Sequence, residues 1–135
     1  MEFQANSLEE MRPVAREIIS RMKERHIVLL EGEMGSGKTT LVSLIMQEMG
    51  VKSDVSSPTY SIVQEYERAQ GPVFHFDLYR IEKKEELLDL GFEEYLDSGF
   101  PCLIEWPSLA RGLIDSPALE VHIQVTDQLR SVRIE

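Results

Sequence analysis

The chain has 135 residues, 42% of them hydrophobic and 28% charged, the size and balance of one globular domain without room for a motor domain's insertions. No apolar run approaches the roughly 20 residues of a membrane span, and Met1-Glu2-Phe3-Gln4 lacks the basic start and apolar core of a signal peptide, so a cytoplasmic location is expected. A formal net charge of −10 opposes direct binding to phosphate backbones, so any action on RNA is expected to pass through a more basic partner.

Ser7 to Arg25 is helical by pattern, and Ser7-Leu8-Glu9-Glu10 has the form of a capping box. Pro13 conflicts with a helix beginning there, because a proline that deep removes a hydrogen bond and clashes with the previous turn. Either the helix kinks or it starts near Arg12 with Pro13 in its first turn. Ile27-Val28-Leu29-Leu30 is an apolar run without alternation, as in a strand buried on both faces. A glycine-rich loop follows, then a helix from Lys38 to Met49 with Gly50 as its stop. Thr59 to Tyr66 and Val73 to Asp77 are β-rich runs joined by Arg68-Ala69-Gln70-Gly71-Pro72, which reads as a hairpin loop. Glu82 to Leu90 is a helix stopped by Gly91, with a shorter helical turn through Tyr95. Cys102-Leu103-Ile104 is a second buried strand, in which Cys102, the only cysteine, acts as a small hydrophobe and excludes an internal disulfide or cysteine zinc site. Leu119, Val121, Ile123 and Val125 alternate with polar residues, giving a strand with one wet face, and Ser131 to Ile134 is expected to pair back with it. Buried parallel strands mixed with hairpins predict a single domain over 1–135, an α/β P-loop NTPase-like three-layer sandwich with a mixed, largely parallel central sheet.

Gly32-Glu33-Met34-Gly35-Ser36-Gly37-Lys38-Thr39 fits G-x-x-x-x-G-K-[ST]. Glycines let successive amides curl around a polyphosphate, and the helix that follows adds its positive end. Lys38 is positioned to reach the outer phosphates, and the Thr39 hydroxyl to bind magnesium. Such a loop needs an acidic group for the metal. Asp77 and Glu105 each end an apolar strand, on the sheet edge where α/β ligands bind. Trp106-Pro107 puts the only tryptophan beside Glu105, and His75 reads as a structural residue of its strand. Asp54 to Tyr60 offers hydroxyls at Ser57, Thr59 and Tyr60, either a turn or a switch that senses the terminal phosphate.

The only asparagine is Asn6, so the Asn-Lys-x-Asp motif that reads guanine is impossible, and no Asp-x-x-Gly switch is present. ATP is the expected nucleotide. A small P-loop kinase and a non-hydrolytic ATP-gated adaptor are the other readings; for a kinase lid only Arg111 lies in a suitable place.

Gly32 to Thr40, Ser57-Pro58-Thr59-Tyr60, His75-Phe76-Asp77-Leu78-Tyr79-Arg80, Glu86-Leu87 with Gly91, and Leu103-Ile104-Glu105-Trp106-Pro107 stand in an order and spacing that resemble the bacterial TsaE family. The resemblance spans essentially the whole chain and implies an ATPase of tRNA threonylcarbamoyladenosine formation. It further implies a cytoplasmic subunit that works with the TsaB and TsaD proteins, through which it meets tRNA indirectly. By likeness, Gly35, Ser36, Gly37, Lys38, Thr39 and Thr40 contact phosphate, Thr39 and Glu105 hold magnesium, Asp77 acts at the nucleotide, and Trp106 lies beside it. Lys38, Asp77 and Glu105 would carry the chemistry, with either carboxylate open as the general base. Ser57 to Tyr60 would be the switch, with Ser7, Arg130 and Arg133 as further nucleotide candidates. Glu33 stands where many relatives carry aspartate.

Overall fold

A computed structural model describes residues 1–52 and 62–135; the Ser57–Tyr60 segment lies outside the described residues. The elements run β1 (Glu2–Ala5), α1 (Leu8–Arg21), β2 (Ile27–Glu31), α2 (Lys38–Glu48), β3 (Val63–Tyr66), β4 (Val73–Asp77), α3 (Lys84–Leu90), α4 (Phe92–Leu96), β5 (Cys102–Glu105), β6 (Leu119–Thr126) and β7 (Leu129–Ile134). One sheet orders the strands β1-β7-β6-β2-β5-β4-β3. The central four, β6, β2, β5 and β4, are mutually parallel. The outer pairings of β3 with β4, β7 with β6 and β1 with β7 are antiparallel. The sheet is therefore mixed, with a parallel centre and antiparallel edges.

Strand alternation builds the layers. Val28, Leu30 and Leu103 pack on one face with Met11, Val14 and Ile18 of α1 and Leu41, Leu44 and Ile45 of α2. Ile27, Leu29, Phe76, Cys102 and Ile104 pack on the other with Leu87 of α3 and Phe92 and Leu96 of α4. Phe76 meets Phe92 edge-on, ring centroids 5.0 Å apart. With apolar side chains needed on both faces, the parallel strands read as continuous hydrophobic runs, as β2 does.

Several local expectations hold. Arg68–Pro72 closes the hairpin of β3 and β4, with the Gly71 amide donating to the Arg68 carbonyl at 3.0 Å. Cys102 is buried, and that burial pushes its thiol up to about 12. Others are revised. Helix α1 begins at Leu8, capped by Ser7, whose Oγ accepts from the Glu10 amide at 3.2 Å. The start near Arg12 is thereby excluded, and Pro13 lies inside the helix. The carbonyl it leaves without a helical donor, that of Glu9, belongs to the exposed first turn, where water can serve it. Helix α3 starts at Lys84, because the Glu86 carboxylate accepts from the amides of Glu82 and Lys83 and holds them as its lead-in. Strand β1 was not expected from the sequence. Strand β7 begins at Leu129, two residues before the expected Ser131.

Candidate functional site

The central parallel strands end on one edge of the sheet, and the glycine loop leaves β2 there. Gly32 allows a close approach no other residue permits: a Cβ would sit 2.6 Å from Ser36 Oγ and 2.8 Å from the Ile123 carbonyl oxygen. Gly37, at φ 102°, turns the loop into α2. No side chain caps α2 and its first turn carries no acid, so the amides at its start face the cleft with their positive polarity uncompensated. Ser36 Oγ is buried without a hydrogen-bond partner among the described residues, an unmet polar atom inside the loop.

Lys38, the first residue of α2, is 5% exposed and folds back over its own loop. Its Nζ donates to the carbonyl of Gly32 and, at 3.3 Å, to that of Glu33. It also stands 3.6 Å above the centre of the Trp106 ring, a cation–π contact. Burial lowers the ammonium below its ordinary value, and the nearby carboxylates of Glu105 and Asp77 oppose that shift.

Glu105 ends β5, directly beside Leu30 of β2 and Asp77 of β4 in the strand register. It is buried. The Thr39 hydroxyl lies 3.2 Å and 3.3 Å from its two carboxylate oxygens, and His75 Nε2 lies 2.6 Å from Oε2. Asp77 is half-buried, and its Oδ1 accepts from the Tyr79 amide at 3.1 Å. Trp106 holds a left-handed backbone at φ 56°, unusual for a bulky residue, and its ring packs 5.0 Å from Tyr79. Thr39 and Glu105 present oxygen donors suited to a hard divalent cation. Among the described residues no group of three or more His, Cys, Asp or Glu forms a protein-only metal cage. A cation held here would draw its remaining ligands from phosphate and water, the usual arrangement for magnesium.

A cleft of about 310 Å³ gathers Gly35 to Thr40, Asp77, Glu105 and Trp106, the residues read from the sequence as phosphate, metal and nucleotide contacts. It also holds Arg130, a further candidate from the sequence, whose Nε donates to the Ser36 carbonyl at 3.3 Å, and adds Tyr79, which sequence reasoning passed over. Arg133 lines a larger neighbouring groove instead, and Ser7 is spent capping α1. His75, read as structural, touches Glu105; the available signal was its spacing of two from Asp77, which puts both on one side of β4.

Arg111 does not reach over the cleft. It opens a 3-10 turn (Arg111–Leu113) and forks onto Glu120 at 2.8 and 2.9 Å, with Glu31 at 3.0 Å. That pairing holds the Glu120 carboxyl below its ordinary value. The one arginine considered for a kinase lid is thus engaged elsewhere. Among the described residues, no helix is long and apolar enough to cross a membrane.

The family model described as "Threonylcarbamoyl adenosine biosynthesis protein TsaE" matches residues 5–133. The chain is 36% identical over 124 residues to the tRNA threonylcarbamoyladenosine biosynthesis protein TsaE of Rickettsia felis, covering 91% of this chain and 72% of that protein. It is 38% identical over 108 residues to the TsaE protein of Haemophilus influenzae, covering 80% and 68%. The Bacillus subtilis TsaE protein is 34% identical over 116 residues, covering 86% and 72%. Among solved structures, Bacillus subtilis YdiB superposes with a TM-score of 0.74 at 25% identity, over 98% of this chain and 82% of that one.

Proposed function

Because this chain belongs to the TsaE family of tRNA threonylcarbamoyladenosine biosynthesis, we propose that it is the ATP-binding and ATP-hydrolysing subunit of that machinery, supporting turnover of a TsaB–TsaD complex. The observation that carries the reading is the convergence, in one cleft, of an uncapped helix start, Lys38, Thr39 and two strand-end carboxylates. That combination suits a polyphosphate with a divalent cation.

The amides from Gly35 to Thr40 bind the phosphates, and Ser36 Oγ gains the partner it lacks. Lys38 exchanges the carbonyls of Gly32 and Glu33 for the outer phosphate oxygens. Thr39 and Glu105 would hold magnesium, which would supply charge neutralisation to the polyphosphate. Glu105, buried and engaged by Thr39 and His75, is suited to a fixed ligand's role. Asp77, half-buried at the same edge, is suited to orienting the attacking water. Trp106 and Tyr79 form an aromatic wall that limits water at Lys38. The net charge of −10 fits a subunit that leaves tRNA contact to its partners.

The test is steady-state phosphate release by the chain alone and with TsaB and TsaD titrated in. Slow release that rises with the partners is expected, since closure and charges supplied in trans can be worth about a thousandfold in P-loop hydrolases. Phosphoryl transfer to an acceptor would return the kinase reading. ATP binding without hydrolysis under all conditions would return the adaptor reading.

A further inference from the structure

His75 stands two residues before Asp77 on β4 and is fully buried, as is Glu105 on the neighbouring strand. Its two ring nitrogens are treated very differently. Nε2 lies 2.6 Å from Glu105 Oε2, whereas Nδ1 meets no hydrogen-bond partner among the described residues. A buried nitrogen without a partner is costly, so an apolar side chain would serve better if packing were the only demand on this position. The satisfied atom is the one aimed at Glu105. A carboxylate only accepts, so the geometry assigns the ring proton to Nε2. The terminal torsion of a glutamate is broad, and one oxygen held from behind removes that freedom.

We propose that His75 is a positioning residue of the cation site: its Nε2–H holds Glu105 Oε2 so that the carboxylate meets Thr39 and a divalent cation in one orientation. His75 itself touches neither nucleotide nor cation. The inference rests on Glu105 being the magnesium ligand, as argued above. Groups that orient a metal ligand in this way commonly alter metal affinity about 10–100-fold when removed.

Three variants separate positioning from packing. His75→Leu removes the donor at comparable bulk. His75→Asn keeps an amide too short to reach Oε2. His75→Gln returns an N–H donor close to the Nε2 position. Calorimetry measures ATP affinity across a magnesium titration and in EDTA, with thermal unfolding alongside. The magnesium concentration needed for half-maximal tightening should rise about tenfold or more in His75→Leu and His75→Asn. Affinity in EDTA should stay at the unaltered level, and His75→Gln should recover most of the loss. In a Glu105→Gln background, His75→Asn should raise the requirement no further. Should His75→Leu fail to fold, the asparagine and glutamine variants carry the comparison. An unchanged magnesium requirement in His75→Asn overturns the proposal. So does an equal loss of affinity with and without magnesium, which is the signature of general damage. An unaltered chain that binds no ATP overturns instead the reading beneath it.

Discussion

Lys38 is held by two backbone carbonyls and an aromatic face before any phosphate arrives. Its burial disfavours the charged form, so a phosphate in the cleft would relieve the ammonium as well as being held by it. Lys38→Ala should weaken ATP affinity about 100-fold, the equivalent of roughly 2.7 kcal/mol, as expected for losing charge-assisted bonds in a water-poor site. Titration calorimetry with magnesium checks this, and undiminished affinity would remove the phosphate-binding role. Glu105→Ala should act differently. Thr39 and the phosphates can still hold a cation loosely, so hydrolysis should fall about 100-fold or more while ATP affinity changes less than about tenfold. Single-turnover phosphate release beside equilibrium binding separates the two. Both residues were legible in the sequence because their chemistry has a fixed address: the lysine by motif, the glutamate by its place at a strand end. Tyr79 and the contact of His75 with Glu105 were not, because those depend on which strands become neighbours across the sheet.

Among the elements, the buried strands were plain to read: β2 and β5 are apolar on both faces, and β6 alternates. β1 was hidden, since Glu2-Phe3-Gln4-Ala5 carries little β signal and owes its strand to pairing with β7. The turn between β6 and β7 was hidden for another reason. Asp127 and Gln128 both adopt positive φ, 48° and 71°, the backbone of a two-residue hairpin turn, without the glycine that normally marks it. Gln128→Gly should therefore stabilise the fold by about 0.5–1 kcal/mol, seen as a thermal midpoint higher by roughly 2–4 °C. The fork of Arg111 acts on stability in acid. Glu120 is held below its usual value by that arginine, so its contribution is present above the unfolded carboxylate range and is lost as pH falls through the lowered native value. Arg111→Ala removes the closest partner of both carboxylates, leaves Glu31 and Glu120 only His122 at 3.5 and 3.8 Å, and should move the acid-unfolding midpoint to higher pH. Circular dichroism across an acid titration measures it, and an unchanged midpoint would show that the fork adds nothing.

For the molecule as a whole, the parallel centre collects most of the chemistry on one edge, and of the antiparallel flanks β7 adds Arg130 to it. If the chain is a subunit whose partners respond to its nucleotide, linkage runs both ways: ATP should strengthen capture of TsaB and TsaD as much as they strengthen ATP binding. Pull-downs with and without ATP, beside ATP titrations with and without the partners, should return the same factor, and two different factors would break the linkage. The span from Glu105 to Arg111 bears on how such a response could travel. At one end Glu105 is tied to Thr39; at the other Arg111 is tied to Glu31, the residue immediately before Gly32. Between them Trp106 leans on Lys38, and Ser108 is exposed to solvent. The span is a handle bolted at both ends to the frame of the glycine loop. A protein that gripped this span would pull on Thr39 and Glu31 together, on both sides of the glycine loop, without entering the cleft.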